Sequence, residues 1–220
     1  IRDSLEDINK CSSLEGVKYL THVLENAPLH AGEVVSYQSF AGSNYRYREM
    51  FDAFNTLQKV LLIKMLPATN SKKMPLVGKT RRPHKLLFLD LGFVNYFADL
   101  FSQHQRASTI EDIYRGRLAE QAVGQNLLSR FQFDEPHLYY WSKEKNEGSA
   151  EVDFCLINSG KIVGIEVKSG QSHNLKSLKI FNKEVENSTA IRLHSGNVEV
   201  KPAYHSLPLY LMPRILEVCE

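Results

Sequence analysis

Two neighbouring stretches in the second half of the chain carry polar residues in alternation with apolar ones. Glu166 and Lys168 alternate with β-branched residues in the stretch 163–168. Because successive side chains of a strand point to opposite faces, these two polar residues are expected to share one face. The same rule in the stretch 151–157 gives Asp153 a polar face, with three residues expected in the core on the other side: Val152, Phe154 and Leu156.

The short segment 158–160 (Asn-Ser-Gly) predicts a turn that pairs the two stretches. Asp153 and Glu166 would then converge on one surface of adjacent strands. Two carboxylates held on rigid strands suit Mg²⁺, or Mn²⁺ in its place, because Mg²⁺ takes one or two carboxylates and keeps several waters. Lys168, two residues from one ligand, could orient a water or stabilise a developing oxyanion. The pattern predicts metal-assisted phosphodiester hydrolysis, with Asp153 and Glu166 as metal ligands and Lys168 as a catalytic residue.

A third acidic residue is expected to support this pair. Glu120 lies on a helix that precedes both strands and is the first candidate, in a catalytic role. Its helical phase puts it at the edge of the apolar stripe, so an ordinary exposed helix residue is an equal interpretation, and Glu151 is the substitute. For the whole set, the alternative is the solvated polar face of a half-buried sheet.

Hydrophobic periodicity predicts the elements that would hold these residues. In the second half it predicts a helix from residue 116, strands at 138–142, 151–157 and 161–168, a helix at 175–185, and strands at 190–193 and 207–212. In the first half it predicts helices at 13–26 and 33–40, a third helix capped by Ser43, strands at 61–66 and 85–89, and a short helix at 93–101. An apolar stripe is expected along the third helix: Phe51, Phe54, Leu57 and Val60.

Three helices followed by a two-stranded wing is the order of a winged helix. We therefore predict an α/β protein with a winged-helix region at 1–101, a linker at 102–115 and a mixed-sheet domain at 116–220. The first half has 14 Lys and Arg against 10 Asp and Glu, and the second half 13 against 15, so the first half is the better candidate for binding DNA.

Basic residues without an intervening acidic one fill the predicted wing. They are Lys72, Lys73, Lys79, Arg81 and Arg82, followed by Lys85. Such a loop suits phosphate contacts whose strength depends on salt, although a solvated basic loop is an equal interpretation. Arg46 and Arg48 begin the third helix and could enter a major groove.

The composition argues against several classes of protein. No apolar run approaches the roughly 20 residues needed to cross a bilayer. The cysteines, Cys11, Cys155 and Cys219, are odd in number and far apart, which indicates neither a disulfide framework nor a zinc knuckle. We expect a soluble protein of a reducing cytoplasm without a membrane partner, and homo-oligomerisation stays open.

The site residues carry a resemblance to the PD-(D/E)xK nuclease superfamily, with Val152 where the superfamily name has proline. More specifically, the second half is similar to a domain of unknown function at the C-terminus of many prokaryotic AAA+ ATPases. The segments that carry this likeness are GRLAE at 116–120, YYWS at 139–142, EVDF at 151–154, IEVKSG at 165–170 and SLKIF at 177–181. A winged-helix region, resembled here by residues 14–100 and ending in LFLDLG at 87–92, precedes that domain in the family.

The resemblance implies a restriction-endonuclease-like fold and an upstream ATP-binding domain. The chain begins at Ile1 rather than methionine, which suggests a piece of a longer ATPase. ATP would bind only in that upstream part, because the segment 78–80 (Gly-Lys-Thr) lacks the first glycine and the strand-to-helix setting of a phosphate-binding loop. The alternative function is a catalytically inactive module that binds DNA or recognises a target for the ATPase.

Overall fold

A computed structural model of the protein describes residues 14–97, 116–131, 136–144, 146, 148–168 and 175–217. These residues form a mixed α/β fold with two sheets, one of three strands and one of eight. The predicted linker at 102–115 lies outside the described residues, as does the end of the helix predicted at 93–101. None of the helices within the described residues combines the length and the hydropathy that a membrane-spanning segment needs.

The elements are numbered in chain order. The helices are α1 (Leu14–Asn26), α2 (Tyr47–Lys59), α3 (Leu91–Phe97), α4 (Arg117–Leu128) and α5 (Lys176–Glu184). Short 3-10 helices cover Ala27–His30, Phe40–Gly42 and Leu209–Arg214. The strands are β1 (Val34–Val35), β2 (Ile63–Leu66), β3 (Ala68–Thr69), β4 (Gly78–Lys79), β5 (His84–Phe88), β6 (Tyr139–Ser142), β7 (Glu151–Asn158), β8 (Lys161–Lys168), β9 (Ser188–His194), β10 (Glu199–Lys201) and β11 (Tyr204–Pro208).

The small sheet has the order β1-β5-β2, and both of its pairings are antiparallel. It packs with α1 and α2 around one apolar cluster. Helix α2 begins where the Glu49 side chain accepts the backbone N–H of Arg46, rather than at Ser43. Its buried stripe is Met50, Ala53, Phe54 and Leu57; the predicted stripe members Phe51 and Val60 are at least one-third exposed.

The helix predicted at 33–40 is wrong. Val34 and Val35 instead form β1, which pairs with His84 and Lys85 of β5. β-branched residues favour strands. Val34 and Val35 pair with the edge of β5 that lies opposite β2. Ser39 has a φ of 52°, a left-handed conformation that a helix running through this segment would not tolerate.

The large sheet has the order β10-β11-β9-β8-β7-β6-β3-β4. Strands β7 and β8 are antiparallel and are joined by the predicted turn, in which Ser159 and Gly160 both have positive φ. Strand β8 is parallel to β9, so it lies between β7 and β9. The strand predicted at 207–212 is β11, which ends at Pro208 and is followed by the 3-10 helix.

The basic segment between β2 and β5 extends the large sheet. Within it, β3 pairs in parallel with β6 of the second half, and β4 pairs with β3. The last two strands at one edge of the large sheet, β3 and β4, thus come from the first half of the chain.

Strand β7 does not alternate as predicted. Its pairing with β6 shifts register between Tyr139–Cys155 and Trp141–Val152, so one extra residue is accommodated in β7, as in a β-bulge. Val152 therefore packs in the cluster that contains Trp141, whereas Phe154 and Leu156 pack in the cluster under α4. The prediction that all three share one core face is wrong.

Strand β5 joins the two halves. Leu86 and Phe88 pack in the cluster of the small sheet, while Leu87 packs in the cluster under α4. Gln121 of α4, fully buried, donates to the carbonyl of Phe88 at 2.7 Å and accepts its N–H at 3.0 Å. Because a buried backbone group costs about 1–3 kcal/mol when unpaired, these two bonds hold α4 against β5.

Candidate functional site

Asp153 is fixed by the backbone of the neighbouring strand. Its Oδ2 atom accepts the N–H of Val167 on β8 at 2.8 Å. This bond crosses from β7 to β8 next to the Phe154–Ile165 pair. The carboxylate of Asp153 therefore lies beside Glu166, the residue that precedes Val167.

Glu166 is the most confined carboxylate of the site. Its side chain is 8% exposed, and its Oε1 accepts a hydrogen bond from Lys168 Nζ at 2.6 Å. The other oxygen, Oε2, is buried and has no hydrogen-bond partner among the residues that the structure describes. An unsatisfied buried carboxylate oxygen is costly, which makes it an available ligand atom for a cation or a proton.

Glu120 reaches the site from the first turn of α4. Its Oε2 accepts a hydrogen bond from Lys85 Nζ at 2.8 Å, and the same ammonium lies 3.3 Å from Asp153 Oδ1. Lys85 comes from β5, and its side chain is only 1% exposed. An ammonium group therefore lies between the carboxylates of Glu120 and Asp153.

Negative charge is in excess at the site. The carboxylates of Glu120, Glu151, Asp153 and Glu166 interact with two ammonium groups, those of Lys85 and Lys168.

These surroundings shift the pKa values of the acidic and basic groups alike. Burial raises the pKa of Glu120 to about 7 although Lys85 works against the rise, and burial followed by the charge of Asp153 raises the pKa of Glu166 to about 7. Burial alone would lower the pKa of Lys85, but the charges of Asp153 and Glu120 outweigh it and raise the pKa above the usual range. Lys85 is therefore charged at all ordinary pH values.

The donor set fits a divalent ion held by two carboxylates. Among the described residues, no group of three or more His, Cys, Asp or Glu is arranged to hold a metal ion. Mg²⁺ needs only one or two carboxylates and completes its shell with water. Within the described ranges, Glu166 Oε2 has no partner and Asp153 Oδ1 has the long 3.3 Å contact with Lys85. These two residues could therefore hold the ion, whereas Glu120 accepts the shorter hydrogen bond from Lys85.

The basic residues predicted to bind DNA fall into two groups. Arg82 donates to Glu144 Oε2 at 2.6 Å and to the carbonyl of Ser142 at 3.0 Å, and Lys72 Nζ lies 3.5 Å from Glu184 Oε2. These two side chains thus interact with the protein's own acidic or carbonyl groups. The remaining five are exposed or half-exposed on the basic segment between β2 and β5 and at the start of α2: Lys73, Lys79, Arg81, Arg46 and Arg48.

Sequence reasoning missed the role of Lys85 by grouping it with the basic loop. The signal was present, because Lys85 is followed by Leu86, Leu87 and Phe88, and strand alternation gives it the face of Leu87. Leu87 packs under α4, so a lysine in phase with it is carried into the interior beside the acidic residue of that helix. Only the three-dimensional arrangement identifies that residue as Glu120.

Comparison with known families supports part of this picture. A family described as a domain of unknown function (DUF4143) matches residues 115–211. The match includes Glu120, Asp153, Glu166 and Lys168 but does not reach Lys85. No curated protein and no solved structure compared with the chain gave a match.

Proposed function

We propose that the protein hydrolyses DNA phosphodiesters with the help of Mg²⁺, held by Asp153 and Glu166. The observation that carries this proposal is the unpartnered, buried Oε2 of Glu166 beside Asp153. Excess negative charge at the same point favours the binding of a divalent cation over a monovalent one. When bound, Mg²⁺ supplies a Lewis acid that polarises the phosphodiester and lowers the pKa of water.

The chain's own residues prepare the site. The N–H of Val167 holds Asp153 in its rotamer, and Lys168 holds Glu166. The Lys168 side chain is 30% exposed, so its ammonium can also meet an incoming phosphate and stabilise negative charge on it. Glu120 supports the site through Lys85, since it orients the ammonium that also contacts Asp153.

The upstream ATPase and DNA binding by the first half of the chain belong to the same proposal. The first half contacts DNA through five basic residues: Lys73, Lys79, Arg81, Arg46 and Arg48. An upstream domain of the same polypeptide binds ATP. Restriction-endonuclease-like topology is consistent with the order of α4, β6 to β8, α5 and β9.

Calorimetric titration with Mn²⁺ and Mg²⁺, followed by a DNA cleavage assay, tests the proposal. Asp153→Asn keeps the size of the side chain and an oxygen for the Val167 N–H, but removes the charge. We expect it to lose metal binding and cleavage, whereas the control Asp52→Asn, an exposed carboxylate on α2, keeps both. Equal metal binding and cleavage in the two variants would refute the assignment.

A second candidate function is a DNA-binding or target-recognition module without catalysis. The Lys85 ammonium favours it, because it already balances part of the charge of Glu120 and Asp153. This candidate predicts salt-dependent DNA binding that survives Asp153→Asn and weakens when Lys73 and Arg81 are neutralised. DNA binding without cleavage or metal binding in the wild type would select it.

A further inference from the structure

The surrounding fold fixes the position of the Lys85 side chain. Strand β5 is the middle strand of the small sheet, and the three residues after Lys85 are at most 1% exposed. A surface lysine can swing its ammonium into water, but the Lys85 side chain is enclosed between β5, α4 and β7. Among the described residues, the charged groups that act on it are carboxylates, and its ammonium also lies 5.0 Å from the centre of the Phe154 ring.

An isolated ammonium in such a position would be very unfavourable. The cost of removing it from water is offset only where opposite charges surround it. Glu120 at 2.8 Å and Asp153 at 3.3 Å supply those charges, and the electron-rich ring face adds a cation–π contribution. The site is thus built around a cation that belongs to the chain.

From this geometry we propose that Lys85 is the resident cation of the site: its ammonium takes the position between Glu120 and Asp153 that a second divalent ion would otherwise occupy. The inference deepens the proposed function and rests on it for the first ion, at Asp153 and Glu166. It makes the wild type a one-ion site and assigns Glu120 to the lysine instead of a metal.

Steric exclusion follows from the distances. Mg²⁺ binds carboxylate oxygens at about 2.0–2.1 Å, so an ion shared by Glu120 and Asp153 would have to lie where Lys85 Nζ lies. The charges also favour a divalent ion at this position. The single positive charge of Lys85 leaves one negative charge of the two carboxylates unbalanced, whereas a divalent ion would balance both. Removal of the ammonium therefore opens a position in which a divalent ion is favoured.

The site also depends on both halves of the chain. Lys85 lies outside residues 115–211, which match the domain family, whereas the carboxylates lie within them. Strand β5 is tied to α4 by the two Gln121 bonds, so the first half supplies the ammonium in a fixed position.

The experiment counts Mn²⁺ ions per chain by calorimetry and by electron paramagnetic resonance in the wild type and in Lys85→Met. We expect the variant to bind one ion more than the wild type. Lys168→Met is the matched control: it also removes an ammonium from the site, but one that contacts Glu166, so it gains no ion. The double variant Lys85→Met with Glu120→Gln gains none either, because the added ion needs Glu120.

Each outcome decides the inference separately from the proposed function. An equal count in Lys85→Met and the wild type overturns the inference, even if both bind one ion and cleave DNA. A wild type that binds no Mn²⁺ refutes the proposed one-ion site, while one ion gained in Lys85→Met still supports the role of Lys85.

Folding of Lys85→Met is itself a readout. Two unpaired carboxylates are expected to destabilise this variant without metal, and Mn²⁺ should raise its melting temperature more than that of the wild type. A variant that stays unfolded in millimolar Mn²⁺ overturns the proposal, because a divalent ion then does not replace the ammonium.

Discussion

The carboxylate site and the basic segment between β2 and β5 contain similar numbers of charges, but the burial and the contacts of those charges differ. At the site, Lys85 and Glu166 are almost completely buried, and one oxygen of Glu166 has no partner in the described part of the chain. In the basic segment, Lys73 and Arg81 are exposed, and Arg82 donates a hydrogen bond to Glu144. Burial weakens dielectric screening and removes water as a partner, so each charge at the site constrains its neighbours. Exposed charges constrain little.

This difference shows which sequence patterns carry functional information. A run of basic residues indicates only a possible surface, and the structure uses Lys72 and Arg82 of that run for contacts with Glu184 and Glu144. A single lysine within an apolar strand has fewer possible partners, since it must be paired in the interior. Lys85 is therefore more informative than the longer basic run beside it.

The largest expected effect is a difference in stability between a variant of the site and a variant of the basic segment. Lys85→Met in metal-free buffer should lower the free energy of unfolding by about 3–5 kcal/mol, because it leaves buried carboxylates without their cation. Lys73→Met removes an exposed charge and should stay within about 0.5 kcal/mol. Chemical denaturation of both variants measures this, and similar losses would contradict the distinction.

A smaller effect depends on pH. In the folded protein the pKa values of Glu120 and Glu166 are raised to about 7, against about 4.3 in an unfolded chain. The folded state therefore holds extra protons between these values. Their contribution to stability is complete below the unfolded pKa and is lost as the pH rises through 7.

Thermal unfolding of the metal-free protein from pH 4.5 to 8 checks this sign. The wild type should lose stability with rising pH relative to the double variant Glu120→Gln with Glu166→Gln, which lacks both groups. Mn²⁺ competes with the same protons, so its stabilising effect should be larger at pH 8 than at pH 6. Parallel pH profiles for the wild type and the double variant would exclude the shift.

The smallest expected effects distinguish Arg82 from Arg81 within the basic segment between β2 and β5. Arg82→Ala should cost about 1 kcal/mol of stability, because it removes hydrogen bonds to Glu144 and to the carbonyl of Ser142. Arg81→Ala should leave stability unchanged but weaken DNA binding and reduce its salt dependence by about one unit of slope. A fluorescence anisotropy titration at several salt concentrations provides the comparison. The reverse assignment would show that Arg82, not Arg81, faces the nucleic acid.

Local patterns predicted most elements of the second half. Strand β8 and the turn before it follow from alternation and from the Asn-Ser-Gly segment, because both depend on neighbouring residues alone. The bulge in β7 was not predictable, since it arises from pairing with β6. The helix predicted at 33–40 failed for a related reason: Val34 and Val35 pair with β5, a strand that is distant in the sequence.

The sequence alone determined which acidic and basic residues could act together in the second half. Alternation gave Glu166 and Lys168 a common face, and a turn of fixed length brought Asp153 beside them. Tertiary structure alone decided that Lys85 lies between Glu120 and Asp153, although 35 and 68 residues separate it from them. Strand alternation and turns act over a few residues, whereas a contact at that separation depends on how β5, α4 and β7 pack.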